Sequence, residues 1–286
     1  MNKHFIAVAL NLSLVFLAPA QSNRVMYRDG DDFKGLVKSV RSEAAPFSIQ
    51  NGERVEGPRT LIQLRNYSAD GRQCESIIYK PDGSQHRREV LVYNSAGRLS
   101  EKATYNEADS LLLKQLNSFD EGGRITAETT YDENGILQQK KLLIYNSAKD
   151  MLLEIQTYDG KGVMFRRDIN SYDYANNKSV WHTEDLNGMR SEQTFDLGHP
   201  DLRLQESVDY HPNGAVASRS VSSADSPVQR IEETKYDAGG ALLRKTSVKR
   251  EFDSRRNVIK ISQLSWNEET KASEPYFIIY NSISYY

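Results

Sequence analysis

The stretch Tyr93-Asn-Ser-Ala-Gly-Arg-Leu99 decides how this chain is read, because near copies of it return along most of its length. Aligned on the aromatic, the copies run Tyr67-Ser-Ala-Asp-Gly71, Tyr79-Lys-Pro-Asp-Gly83, Phe119-Asp-Glu-Gly-Gly123 and Tyr131-Asp-Glu-Asn-Gly135. Further on stand Tyr158-Asp-Gly-Lys-Gly162, Tyr210-His-Pro-Asn-Gly214 and Tyr236-Asp-Ala-Gly-Gly240. An Asp or Asn after the aromatic accepts hydrogen bonds from the backbone two residues on, and the glycine that follows enters the φ > 0 region. Together they close a hairpin loop of about three to five residues. The turn motif is therefore assigned to Tyr93, Asn94 and Gly97; Phe119, Asp120 and Gly123; Tyr131, Asp132 and Gly135; and Tyr236, Asp237 and Gly240.

Degenerate copies put Asp109, Lys149, Asn176 and Arg256 where the glycine belongs. Asp and Asn enter the left-handed region more readily than most residues. Lys149 and Arg256 do not, so their turns are expected to be looser.

From Tyr67 the aromatics fall at 79, 93, 105, 119, 131, 145, 158 and 172, so intervals of about 12 and 14 alternate. Subtracting the turn leaves strands of roughly eight to ten residues. Tyr67, Tyr93, Phe119 and Tyr145 then lie along one edge of a sheet, and Tyr79, Tyr105, Tyr131 and Tyr158 along the other. Alternation puts Leu99, Glu101, Ala103 and Tyr105 on one face, and likewise Ile125, Ala127, Thr129 and Tyr131. One face is expected to pack while the other stays wet. Upstream, Gly35 to Arg41 alternates and Asn51-Gly52 is a hairpin signal, so 34–66 starts the same sheet. Longer loops are expected at Gly198-His-Pro200 and at Ser222 to Pro227, and Tyr276 to Tyr286 reads as a closing strand.

The expected fold is all-β: an elongated, twisted antiparallel β-meander of about 15 to 17 strands built from repeated hairpins, with its two end strands as exposed edges capped by the irregular terminal segments. The composition agrees, with 38% apolar residues, 16 tyrosines and a mean hydropathy of -0.65. Such numbers suit thin sheets with wet faces better than a thick core.

The first residues carry a different signal. Lys3 and His4 precede an apolar run from Phe5 to Leu17, followed by Ala18-Pro19-Ala20 and the polar Gln21-Ser22. That is the pattern of a secretory signal peptide over 1–20, cut after Ala20. Residues 21–33 read as a flexible lead-in, and 34–286 as a single β-repeat domain whose clearest repeats span 67–260. No later segment is apolar enough to form a spanning helix, so no transmembrane segment is expected in the mature chain. The net charge of -2 is spread without blocks and gives no reason to propose nucleic acid or an anionic membrane as a partner.

Tyr93 to Leu99 and Phe119 to Ile125 resemble the YD repeat of Rhs-type proteins and, more distantly, the MORN-type repeats of small bacterial secreted proteins. The resemblance covers about residues 67–260. In Rhs-type proteins such repeats build long curling β-sheets, which in large members form a shell around a toxin and in teneurins part of an adhesion ectodomain. This chain is far shorter and has no Asp-Pro-x-Gly core motif, so the resemblance implies architecture and not toxin delivery.

A search for chemistry yields no catalytic, cofactor or metal site. His86, His182, His199 and His211 form no His-Glu-x-x-His, and there is no Gly-x-Ser-x-Gly elbow or phosphate loop. Cys74 is the only cysteine and reads as a structural thiol. Turn carboxylates such as Asp70, Asp82 and Asp159 are expected to close turns and not to bind calcium. The reading is an exported, non-enzymatic β-repeat protein, a binding or structural module at the cell envelope or outside the cell, whose partner is a protein or an envelope glycan. The alternative is a carbohydrate-binding protein stacking sugars on exposed Tyr79, Tyr93 and Tyr131. A hydrolase using paired acids, Glu232-Glu233 or Glu268-Glu269, stands third.

Overall fold

The computed structural model describes residues 33–50, 53–146, 151–196, 203–226, 230–267, 270 and 272–286. The signal peptide, all but the last residue of the lead-in, the turns at Asn51-Gly52 and Lys149, the loop at Gly198 to Pro200, and Glu268-Glu269 lie outside the described residues.

Every hairpin anticipated from the motif forms. The strands are β1 (Val37–Gln50), β2 (Glu53–Glu56), β3 (Thr60–Tyr67), β4 (Gln73–Tyr79), β5 (Gln85–Tyr93), β6 (Leu99–Tyr105), β7 (Leu111–Phe119), β8 (Ile125–Asp132), β9 (Leu137–Asn146) and β10 (Met151–Asp159). They continue as β11 (Met164–Asp173), β12 (Lys178–Asp185), β13 (Arg190–Asp196), β14 (Arg203–Tyr210), β15 (Val216–Ser226), β16 (Arg230–Asp237), β17 (Leu242–Phe252), β18 (Val258–Asn267) and β19 (Ala272–Tyr285). The apolar run Leu111-Leu112-Leu113 opens a strand. Ser222 to Ser226, expected as a loop, prolongs β15 and pairs with β16.

The open, elongated meander is overturned. β1 pairs antiparallel with β3 on one side, from Ser39↔Asn66 to Ala44↔Thr60, and with β19 on the other, from Val37↔Tyr285 to Pro46↔Phe277. No edge is left: β1 and β3 through β19 form a closed antiparallel barrel of eighteen strands, and β2 prolongs the β1 hairpin beyond it. The physical reason is that a long twisted sheet with unpaired end strands lowers its free energy by curling until those edges satisfy each other. The two irregular ends, expected as caps, are the closure seam.

Among the described residues the close strand contacts run along the ladder, apart from β2, whose Arg54 reaches Glu274 and Pro275 of β19, so no pair of strands packs closely across the middle. At a strand spacing of about 4.8 Å and a tilt of about 40°, eighteen strands enclose a cylinder roughly 35 Å across, wide enough for a water-filled bore.

The inner face is identified by crowding. Side chains converge on the concave side of a barrel and diverge on the convex side. Val40, Cys74, Tyr67, Tyr93 and Leu152 share one face and are buried, whereas Val92, Leu116, Ile144 and Ile169 share the other and are exposed. The former is the lumen side. Its apolar cluster, Val37, Val40, Tyr67, Cys74 and Tyr93, with Phe33, Leu91, Leu99, Ile283 and Tyr285 against it, lies at the seam.

The expected faces need a second correction. At every glycine-bearing motif except that of Tyr67, which pairs with Cys74 without a register shift, the aromatic pairs with the residue six further on, as in Tyr93↔Leu99 and Phe119↔Ile125, while the preceding pair is Val92↔Glu101 or Ser118↔Ala127. One residue is skipped, a β-bulge driven by the left-handed glycine. Leu99 and Ile125 thus face inward with Tyr93 and Phe119, and Glu101, Ala103, Tyr105, Ala127, Thr129 and Tyr131 face outward. Nor is one face dry: both carry charged side chains on most strands.

Candidate functional site

The turn at 120–123 shows how the motif works. Asp120 N donates to Arg124 O (3.0 Å) and Gly123 N to Asp120 O (2.9 Å). The Asp120 carboxylate accepts Arg124 N (2.8 Å) and the Arg124 guanidinium (2.6 Å). Asn94, Asp132 and Asp237 do the same for backbone amides two and four residues on. The second of these bonds was not anticipated. Gly97, Gly123, Gly135 and Gly240 all have φ between 75° and 83°. Asp109, Asn177 and Arg256 take the same region, so Asn177 and not Asn176 fills the glycine's place. The Arg256 turn is not loose: it keeps both backbone bonds at 2.9 Å.

Because consecutive hairpins point to opposite ends of the cylinder, the two mouths have different chemistry. At the first mouth, where the odd-numbered strands end, the aromatics Tyr67, Tyr93, Phe119, Tyr145, Tyr172, Phe195, Phe252 and Tyr285 turn inward. The residue after the glycine there is arginine at 72, 98 and 124. Arg98 reaches the carbonyl of Gly122 in the next turn along the rim (3.2 Å). Tyr172 donates to Leu152 O (2.9 Å) and accepts from Asn170 (2.8 Å), and Ser179 donates to Asn170 (2.6 Å). Burial pushes the Tyr172 phenol up to about 12.

At the second mouth, where the even-numbered strands end, Tyr79, Tyr105, Tyr131, Tyr158, Tyr210, Tyr236 and Trp266 turn outward and are half-buried. Here the residue after the glycine is Ile136, Val163 or Met189 in three turns and the small Ser84, Ala215 or Ala241 in the others. Tyr79, Tyr93 and Tyr131, expected as a stacking set, are not brought together. Tyr93 is 3% exposed at the first mouth, while Tyr79 and Tyr131 stand four strands apart on the outside of the second.

Between the mouths the outer face carries a repeated ion pair, thirteen residues apart in sequence and joining neighbouring strands diagonally. Arg88–Glu75 (3.3 Å), Lys114–Glu101 (3.0 Å), Arg167–Glu154 (2.7 Å), Arg219–Glu206 (2.5 Å) and Lys245–Glu232 (3.5 Å) follow one another round the wall. The pairing with Arg167 holds the Glu154 carboxyl below its ordinary range. Glu232 and Glu233, the described member of the paired acids, project from opposite faces of β16.

On the inner face near the second mouth, β11 to β15 form a cleft of about 540 Å³ lined by Arg166, Thr183, Asp185, Ser191, Asp209 and Ser218, with Phe165 and Met189 at its lip. Arg166 and Thr183 both donate to buried Asp168, the guanidinium at 2.7 Å, and Ser218 donates to Asp209 (2.7 Å). The Asp168 carboxylate raises the pKa of Arg166. Sequence reasoning missed this cleft because its residues come from five strands and share no motif. Among the described residues no three His, Cys, Asp or Glu side chains are grouped to hold a metal ion.

No family model and no curated protein matches the chain. Among solved structures, a porin-like protein from Bacteroides uniformis superposes with a TM-score of 0.37 at 10% identity, over 87% of this chain and 98% of that one. A porin-like protein from Bacteroides vulgatus gives 0.32 at 11%, with the same coverage. The TcdB2-TccC3-TEV structure gives 0.20 at 14%, over 77% of this chain and 14% of that one. Scores this low carry no functional argument.

Proposed function

We propose that the chain is an exported, non-enzymatic β-barrel that serves at the cell envelope or outside the cell as a hollow binding and structural module. The observation that carries this reading is the girdle of ion pairs on the outer wall. A barrel that spans a bilayer presents an apolar band about 25 Å tall, and each Lys or Arg at its midplane costs about 2–4 kcal/mol. Here the basic members of five pairs, on β5, β7, β11, β15 and β17, each stand at the fourth residue of the strand from the second mouth, inside the height such a band would occupy, favouring a wall bathed in water. The polar inner face supports a water-filled bore, and the cleft between β11 and β15 offers donors and acceptors to a polar solute. Among the described residues no helix is long and apolar enough to cross a membrane, which leaves spanning by strands to be judged from the wall itself.

The test is to express the full chain in a bacterium with an envelope, fractionate it, sequence the N-terminus of the mature protein and purify that protein without detergent. The expected result is cleavage after Ala20, recovery outside the cytoplasm, and a folded protein that stays monodisperse in plain buffer and gives planar bilayers no conductance. Retention in the cytoplasm with an intact N-terminus, or a protein that needs detergent and conducts ions, overturns the reading.

A further inference from the structure

The described exposed aliphatic side chains of the turns gather at the second mouth. Ile136 is 59% exposed, Val163 52% and Leu186 66%, and they occupy three successive turns of that mouth, from β8 round to β13, while Leu112 (40%) and Leu243 (58%) are the second residues of β7 and β17, just behind the rim. Met164, Met189 and Leu242 stand beside them, also exposed. The residue after the turn glycine, Ile136 and Val163 here, is Arg72, Arg98 and Arg124 at the first mouth. Exposed apolar surface of this extent on a rim marks a contact site.

What meets it is indicated by the order of chemistry along the barrel axis. Outermost are aliphatic tips; behind them is the outward belt Tyr79, Tyr105, Tyr131, Tyr158, Tyr210, Tyr236 and Trp266; behind that is the girdle of ion pairs. Apolar, then amphipathic aromatic, then charged is the order a chain meets on leaving one leaflet of a bilayer, and Tyr and Trp favour the headgroup level because one end of each ring system is apolar and the other wet. The three turns stand side by side along an arc of the rim, which suits a flat, extended partner.

We infer that the second mouth is a lipid-docking rim, on which the barrel stands with its axis across the membrane surface and its tips sunk into the outer part of one leaflet. This deepens the envelope reading and rests on it. Insertion is apolar and not electrostatic. The same turns carry Asp82, Asp132, Asp159, Asp185 and Asp237, so an anionic surface adds repulsion.

The experiment uses the mature protein and two kinds of vesicle, phosphatidylcholine alone and phosphatidylethanolamine with phosphatidylglycerol, in flotation assays. Wild type is expected to float with phosphatidylcholine at least as well as with the anionic vesicles. Ile136→Asp, Val163→Asp and Leu186→Asp together alter only exposed turn positions, so folding checked by circular dichroism and melting should persist while the partition coefficient falls about tenfold or more. Leu36→Asp, 70% exposed at the first mouth, should float like wild type. Wild type that fails to float, a triple variant that floats unchanged, or equal loss from Leu36→Asp overturns the inference. So does a mature protein that ignores lipid and forms a dimer abolished by the triple variant, which would assign the rim to a second copy. Export and solubility are read separately, so failure of the docking leaves the envelope reading standing or falling on its own data.

Discussion

The Arg98 guanidinium lies where a side chain on Gly123 would have to be: a Cβ built there stands 1.1 Å from Nη1. The two residues belong to successive turns of the first mouth, and the contact ties one hairpin to the next. Gly123 also has φ +79°, a conformation that costs an L-residue about 1–2 kcal/mol. The arginine tip is flexible and can swing aside, so the clash itself is cheap.

Gly123→Ala is therefore expected to cost about 1–2 kcal/mol in urea unfolding. Gly135→Ala, at φ +76° with open space around it, should cost nearly as much. The difference between them, a few tenths of a kcal/mol on the order of one exposed hydrogen bond, is the worth of Arg98 to Gly122. A Gly123→Ala cost several times that of Gly135→Ala would show that Arg98 is held rigidly.

Closure makes a second prediction. Asn257 is fully buried at the seam, where its amide donates to Lys34 O (3.1 Å) and the Tyr285 hydroxyl (2.8 Å) and its carbonyl accepts from Lys34 N. Tyr285 in turn donates to Asp253 (3.1 Å). Asn257→Ala leaves half-buried polar groups of β19 and of the segment before β1 without this partner, a loss of about 1–3 kcal/mol. Hydrogen exchange should accelerate first in β1 and β19 and least in β7 and β8. Uniform acceleration would mean that the seam is not the weak line of the barrel.

Much of this fold is legible in the sequence, and the division has a physical basis. Turn chemistry is local: the acceptor of Asp120 and the φ of Gly123 act within five residues, so the hairpins and their polarity follow from reading the chain, although the expected 15 to 17 strands fall short of the nineteen described. Even the unlike mouths are written in the residue after the glycine, arginine at 98 and 124 but Ile136 and Val163 on alternate turns. Closure is not local. Whether Val37 meets Tyr285 depends on twist summed over eighteen strands, which no short stretch encodes. The bulge that flips Leu99 inward is likewise invisible to a count of alternating positions, and it brings Leu99 against the seam cluster that holds Tyr93, read as a stacking residue.

Acid sensitivity should reside in particular turns. Backbone bonding from Arg124, then the Arg124 side chain, holds the Asp120 carboxyl below its ordinary 3.8. A depressed folded-state pKa means that the contribution is present above the unfolded value and is lost as pH falls through the folded one, so the window lies below about pH 4. Asn94 makes the same amide bonds without a charge. Between about pH 5 and about pH 2 the amide resonance of Arg124 should therefore shift in step with Asp120 titration while that of Arg98 stays put, and Asp120→Asn should abolish the difference. A shift at both positions would point to global acid unfolding.

At the alkaline end Tyr172 sets the limit. Its phenol is pushed up to about 12 because burial disfavours the phenolate, and its hydroxyl is committed to Leu152 O. A raised folded-state pKa gives stability that is complete below the unfolded value near 10 and disappears as pH climbs toward about 12. Tyr172→Phe removes the titrating group, and Asn170, whose amide already lies 3.4 Å from Leu152 O, can take over that carbonyl. The substitution should cost about 1 kcal/mol at neutral pH. Above pH 10 the wild type should lose ground to the variant, and ultraviolet absorbance should show one tyrosine fewer ionising late. Parallel stability curves for the two proteins through that range would mean that the Tyr172 hydroxyl is open to solvent and that the inward aromatic row of the first mouth is wet.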